Sequence, residues 1–222
     1  MYRIKQKIIG VSYNMHIETL APATKKLLLS FNNVDFLKEY YLAGGTALAL
    51  HYGHRQSIDL DWFTKKSINV PVLAKSVSKF GKFTLVNESE NTLEGILQKV
   101  KISFMTYPYT LLKKPILLDS IRVAHPYDIA TMKIGAITGR NTKKDFIDLY
   151  VFLQREKVCL DQVIGWYTKK AKGIVVDEYH IYKSLTYFRE ANNDAMPKMF
   201  EPLVWETVKK FFVSEVKKLS QV

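Results

Sequence analysis

In SIDLDWF, Asp59 and Asp61 are separated by a single leucine. In an extended strand, residues two apart project from the same face, which puts these carboxylates within roughly 7 Å of each other. Two hard oxygen ligands so placed suit Mg²⁺ or Mn²⁺, which take carboxylates together with substrate phosphates. Without a cation, two such charges side by side repel. Upstream, Gly44, Gly45 and Thr46 fall between a strand-like run and a short helical pattern. Glycines there let the backbone approach a phosphate and present amides at a helix N-terminus, and Thr46 adds a hydroxyl donor. A DxD pair alone is commonplace on protein surfaces. Next to a phosphate-cradling turn it describes metal-assisted phosphoryl or nucleotidyl transfer from a bound NTP. A Walker loop is excluded, because no GxxxxGK[ST] occurs.

The elements that must position these groups follow from periodicity. TLAPATKKLLLSFNN has helical spacing, and a strand is expected around Tyr40, Tyr41 and Leu42. GTALALHYGH reads as a short helix stopped by Gly53. SIDLDWF alternates Ile58, Leu60 and Trp62 against Asp59, Asp61 and Phe63, as a strand does. A helix is expected from Pro71, then strands in KFTLVNESE and TLEGILQKVKISFMTY. In KVKISF, Val100, Ile102 and Phe104 share one face, and Lys99, Lys101 and Ser103 the other. A strand at residues 121–124 gives way to a helix after Pro126, with Asp128 near its start, where a carboxylate suits the dipole. KKDFIDLYVFLQRE is strongly amphipathic, and helical texture continues from about residue 158. The expected class is α+β, with a mixed sheet flanked by helices over residues 1–120. A mostly helical region, 121–222, is expected to complete the cleft.

Composition narrows the setting. The 222 residues are 47% hydrophobic, enough for a real core. Lys and Arg number 33 against 21 Asp and Glu, a formal +12 that favours a polyanionic partner such as nucleic acid or a nucleotide. Residues 65–114 alone carry nine Lys and three Glu. Cys159 is the single cysteine, which excludes an intramolecular disulfide. Between Val158 and Leu160, it is expected to be buried. His51 and His54 are spaced for helix-end packing and a turn rather than for zinc, which would need more ligands. Trp62 reads as core, and Tyr40 and Tyr41 as strand packing. The C-terminal amphipathic helix should pack Trp205, Val208, Phe211, Phe212 and Val216 on the body. No run approaches the roughly 18 apolar residues of a membrane span, and the N-terminus lacks an apolar signal core, so a cytoplasmic protein is expected.

The string GGTALALHYGHRQSIDLDWF, with GG(S/T) and then DxD, resembles the AbiEii/AbiGii toxin nucleotidyltransferases of the DNA polymerase beta-like superfamily. The resemblance extends into HPYDIATMKIGAITGRNTKKDFIDLYVFL and covers most of residues 40–155. It implies that Gly44, Gly45 and Thr46 flank the triphosphate and that Asp59 and Asp61 hold metal. It places Arg55 and Ser57 in an HRxSxDxD run, Lys133 in a second motif, and Lys144, Asp145 and Asp148 in a later one. It further implies transfer of a nucleoside monophosphate to an acceptor hydroxyl, on RNA or tRNA, by the toxin of a toxin–antitoxin or abortive-infection system with a cognate antitoxin.

Helical spacing adds that residues 133, 137, 140, 144 and 148 share one stripe if the helix runs through Gly139. Gly139 and Asn141 could instead split it. In either case Lys133, Arg140 and Lys144 are cations able to grip a triphosphate. Asp148 could orient Lys144, help the metal site or activate the acceptor. One departure from the superfamily stands out. The KVKISF strand carries no acid where many relatives place a third carboxylate, and Glu94 falls before it, which leaves the general base open. Two other readings share these residues: a degenerate fold that binds NTP or nucleic acid without turnover, and a transferase acting on a small molecule or protein.

Overall fold

The computed structural model describes residues 5–8, 11–170 and 177–220, with side chains from Met15 onward. Strands β1 (Lys5–Ile8) and β2 (Val11–Asn14) form an antiparallel hairpin that the pattern of MYRIKQKIIGVSYNM does not announce. Met1–His125 and Pro126–Val222 form separate compact units.

In the first unit, α1 (Pro22–Ser30) starts on a proline, where the missing N–H costs nothing. Strand β3 (Tyr41–Ala43) leads directly into α2 (Gly44–Tyr52), and Gly53, at φ 68°, ends that helix in the left-handed conformation. Strand β4 (Leu60–Thr64) follows, then α3 (Val70–Ser78), whose N-cap Asn69 accepts from the Val72 amide. Strands β5 (Phe83–Ser89), β6 (Thr92–Leu97), β7 (Val100–Thr106), β8 (Ile116–Leu118) and β9 (Ile121–Val123) complete a seven-stranded sheet. Its order is β5-β6-β7-β4-β3-β9-β8. β4 pairs with β7, and β3 with β9, in parallel; the other pairs are antiparallel. The fold is therefore the expected mixed α/β class.

Alternation sorts the sheet into two faces. Leu60, Trp62, Leu93, Ile102 and Phe104 are buried on one. Trp62 stacks on Phe104 at 6.3 Å, and Phe31 meets the Trp62 ring edge-on at 5.8 Å. The other face carries Asp61, Phe63, Ser103 and Met105. The alternation groups Ile58 with Leu60 and Trp62, but β4 begins only at Leu60 and Ile58 is 59% exposed.

The second unit is helical over its described residues. It contains α4 (Pro126–Arg140), α5 (Lys143–Glu156), α6 (Leu160–Lys170), α7 (Glu178–Thr186), α8 (Arg189–Asn193) and α9 (Trp205–Leu219). α4 packs on α5, α6 and α7, and α9 packs on α5 and α7. Phe146 centres an aromatic cluster with Phe188, Trp205 and Phe212 at 5.2, 5.8 and 5.4 Å. Val208, Phe212 and Val216 are the buried stripe of α9. The split between α4 and α5 falls at Asn141, which adopts φ 52°, while Gly139 stays helical. The Asn141 amide donates to the Ile137 and Ser184 carbonyls, which fixes the corner.

Cys159 corrects an expectation: it is exposed. It lies just ahead of α6, where its amide is taken by the Gln162 side chain, so Leu160 is the residue that turns inward. Among the described residues no helix is long and apolar enough to cross a membrane.

Candidate active site

The junction between β3 and α2 brings glycine and carboxylate together. Gly44 takes φ 66°, and a Cβ built on it would lie 2.5 Å from Asp61 Oδ2. Only glycine satisfies both the left-handed backbone and that approach. Ala43 and Asp61 are register partners, so the chain turns into α2 directly beside the aspartate. On the other side of Asp61 lies Ser103, its partner on β7, whose hydroxyl donates to Asp61 Oδ1 at 2.6 Å. Asp61 is thus held by Ser103 at one oxygen and closely approached by Gly44 at the other. Asp59 lies one residue ahead of β4, and both aspartates are half-buried. Two oxygen-donor groups at the mouth of a glycine turn fit a hard divalent cation.

Thr46 and Ser57 lie on the structural side of this site. Thr46 is fully buried; its hydroxyl donates to the Asp59 carbonyl and lies 2.8 Å from Ser57 Oγ. Its single proton is committed to the main chain, so it braces the aspartate-bearing segment where a donor to phosphate was expected. Ser57 bridges to the start of α1 by main-chain bonds with Thr19 and Ala21. Arg55 is 4% exposed and donates to the Gln56 carbonyl.

Glu94 precedes β7 in the chain, as expected, and β6 carries it directly opposite Ser103. A transverse row Ala43–Asp61–Ser103–Glu94 therefore crosses four strands on one face. With strands about 4.8 Å apart, Glu94 lies roughly 10 Å from Asp61 along that row. Spacing within one strand could not reveal this, because it depends on the pairing of β6 with β7.

His51, near the end of α2, is half-buried and donates from Nε2 to the Ala124 carbonyl at 2.8 Å. Burial, with a smaller push from His125, outweighs that bond and takes its pKa down to about 4. His54 is buried. Among the described residues, no three His, Cys, Asp or Glu side chains gather into a metal cluster.

In the second unit, the motif residues of α4 and α5 assemble around one lysine. Lys133 Nζ lies 2.7 Å from Asp145 Oδ1 and 2.6 Å from Asp148 Oδ2, with all three side chains buried. Arg140 donates to both Asp145 oxygens at 2.8 and 3.0 Å, and Thr142 adds a third donor at 2.6 Å. Burial would raise the Asp145 carboxyl, but Lys133 and Arg140 outweigh it and hold it well below the usual carboxylate range. The Arg140 side chain remains 58% exposed. Lys144 faces solvent, whereas its neighbour Lys143 is buried; Asp148, four residues on from Lys144 along α5, pairs with Lys133. A second buried pair, Lys170 with Asp128 at 2.5 Å, ties α6 to α4 and was missed, because nothing in the sequence links residues so far apart.

Residues 26–83, which contain both Gly44 and Asp61, match the family model described as nucleotidyl transferase AbiEii toxin, type IV toxin–antitoxin system. An uncharacterized protein of Aquifex aeolicus is 37% identical over 195 residues, covering 83% of this chain and 90% of that one. Among solved structures, MenT4, a nucleotidyltransferase toxin of Mycobacterium tuberculosis, is similar with a TM-score of 0.53 at 15% identity, over 91% of this chain and 87% of that one. JHP933 from Helicobacter pylori aligns over 89% of this chain and 94% of its own with 18% identity and a TM-score of 0.48. The chain belongs to the AbiEii nucleotidyltransferase toxin family and is an enzyme of the nucleotidyltransferase class.

Proposed function

We propose that this toxin transfers a nucleoside monophosphate from an NTP to a hydroxyl of an RNA acceptor, tRNA included, with Asp59 and Asp61 holding Mg²⁺. The observation that carries the reading is the seating of Asp61 between Gly44 and Ser103. When bound, the divalent ion neutralises the triphosphate and lowers the barrier to in-line displacement. The chain's own residues do the positioning. Gly44 leaves room for the Asp61 carboxylate, and with Gly45 it opens α2, whose N-terminus attracts the anionic phosphates. Ser103 fixes the rotamer of Asp61, and Thr46 fixes the segment carrying Asp59. In the second unit, Arg140, clamped by Asp145 but largely exposed, is a cation of the kind that binds phosphate, with Lys133 and Asp148 as the buried scaffold behind it. Lys144 adds an exposed charge on α5. Glu94, on the row of Asp61, is the carboxylate that takes the acceptor proton. A cytoplasmic site of action and a cognate antitoxin belong to the same reading.

The test is label transfer from each NTP, with Mg²⁺, to total RNA, total protein and a small-molecule extract. The expected result is labelled RNA with wild type and none with Asp59→Asn or Asp61→Asn. Label that persists in both variants overturns the metal assignment. Label on protein or small molecules alone overturns the acceptor.

A further inference from the structure

The same sheet face that carries Asp61 continues into a second feature. Ala43 pairs with Asp61 and Tyr41 with Phe63, so Tyr41 and Phe63 lie one step along this face, about 7 Å from the aspartate. Tyr41 stacks on Phe63 with centroids 6.1 Å apart, Tyr107 meets Phe63 edge-on at 6.0 Å, and Tyr109 meets Tyr107 at 4.9 Å. This aromatic track opens into a cavity of about 420 Å³ within the first unit. Lys65, Lys66, Lys113, Lys114 and Arg122 line it against a single acid, Glu39, which Lys66 pairs at 2.9 Å. Lys65, Lys113 and Lys114 are exposed, and Tyr107 and Tyr109 are half-buried, each with part of its surface accessible.

Tyrosines interleaved with cations are what single-stranded nucleic acid requires: flat surfaces for bases and charges for the phosphates between them. A duplex presents no free base faces, and an acidic peptide would use the charge without the rings. We propose that this groove seats the single-stranded segment of the acceptor that precedes its reacting end, with bases against Tyr107 and Tyr109 and phosphates against Lys65, Lys113 and Lys114. The inference rests on the RNA-acceptor reading and locates where that strand lies. It gives a use to four of the nine lysines of residues 65–114, namely Lys65, Lys66, Lys113 and Lys114.

The full chain is titrated with a short fluorescein-labelled single-stranded oligoribonucleotide at several salt concentrations, and with NTP in parallel. For Lys65→Ala/Lys113→Ala/Lys114→Ala the expected result is at least about tenfold weaker RNA binding and a log–log salt slope shallower by about 2. NTP affinity and melting temperature stay at wild-type values. Tyr109→Ala should weaken RNA by about tenfold without changing the slope, and Tyr109→Phe should restore it. Wild-type affinity and slope in the triple variant overturn the groove, as does equal binding of a duplex of the same length. Displacement of the oligonucleotide by polyglutamate as readily as by unlabelled RNA assigns the surface to an acidic protein instead. These outcomes are independent of the Asp59 and Asp61 variants: if those still transfer label, the catalytic reading fails while the strand site stands or falls on binding alone.

Discussion

Gly44 and Asp61 stand so close that a single methyl group on the glycine would lie 2.5 Å from the carboxylate. The glycine also sits at φ 66°, where an L side chain adds roughly 1 kcal/mol of strain. Gly44→Ala therefore must push Asp61 aside or shift the start of α2. Displacement of a reacting group by about 1 Å costs on the order of 10²-fold in rate. The expected result is nucleotidyl transfer reduced by about that factor with the fold retained, measured by single-turnover label transfer beside circular dichroism. A fully active Gly44→Ala would show that Asp61 has room to spare.

If Glu94 accepts the acceptor proton, Glu94→Gln should lower kcat by about 10²-fold or more while leaving NTP affinity near wild type. A Glu94→Gln variant with wild-type kcat would assign the proton to another group.

The Lys133 cluster makes a stability prediction. Lys133→Met leaves Asp145 and Asp148 buried with their shared ammonium gone. Breaking a buried pair in this way costs about 3–5 kcal/mol. A fall of that size in the urea unfolding free energy is expected, whereas Lys144→Met, at an exposed position, should change stability by less than about 0.5 kcal/mol.

Acid should weaken the fold in two steps. His51 is held near pKa 4 when folded, against about 6.5 when unfolded. Its folded-state pKa is depressed, so its neutral form is fully accommodated above about pH 6.5. Stability then falls as the unfolded chain gains a proton that the native ring refuses, by about 3 kcal/mol by pH 4. Asp145, also depressed, keeps its contribution above about pH 4 and loses it at lower pH. Thermal melts from pH 7 to pH 4 should show the first loss in wild type and a smaller one in His51→Gln. Equal slopes in the two proteins would remove His51 as the cause.

Particular residues show why some of this was legible in the chain and some was not. The turn from β3 into α2 and the stop at Gly53 are local, because glycine spacing and backbone conformation settle them within a few residues. The core role of Trp62 follows from alternation in the same way. Thr46 was misjudged because its type says "donor" without saying to what; the answer, the Asp59 carbonyl, depends on the return of the chain. The alignment of Glu94 with Asp61 is hidden for a similar reason, since that row exists only through two cross-strand registers. The spacing of Lys144 and Asp148 is local to α5, but the meeting of Asp148 with Lys133 is not, because it depends on the break at Asn141 and on the packing of α5 against α4.

The parallel pairing of β4 with β7 has a consequence for how the toxin comes to life. Asp61 acquires its hydroxyl donor from Ser103, a residue 42 positions later, while β5, β6 and β7 can zip locally as a meander. Such long-range closure is slow relative to hairpin formation, because loop entropy is lost before contacts compensate. A chain emerging from the ribosome therefore carries its glycine turn and both aspartates well before they are set for chemistry. Synthesis alone does not arm the protein; completion of one distant strand pairing does.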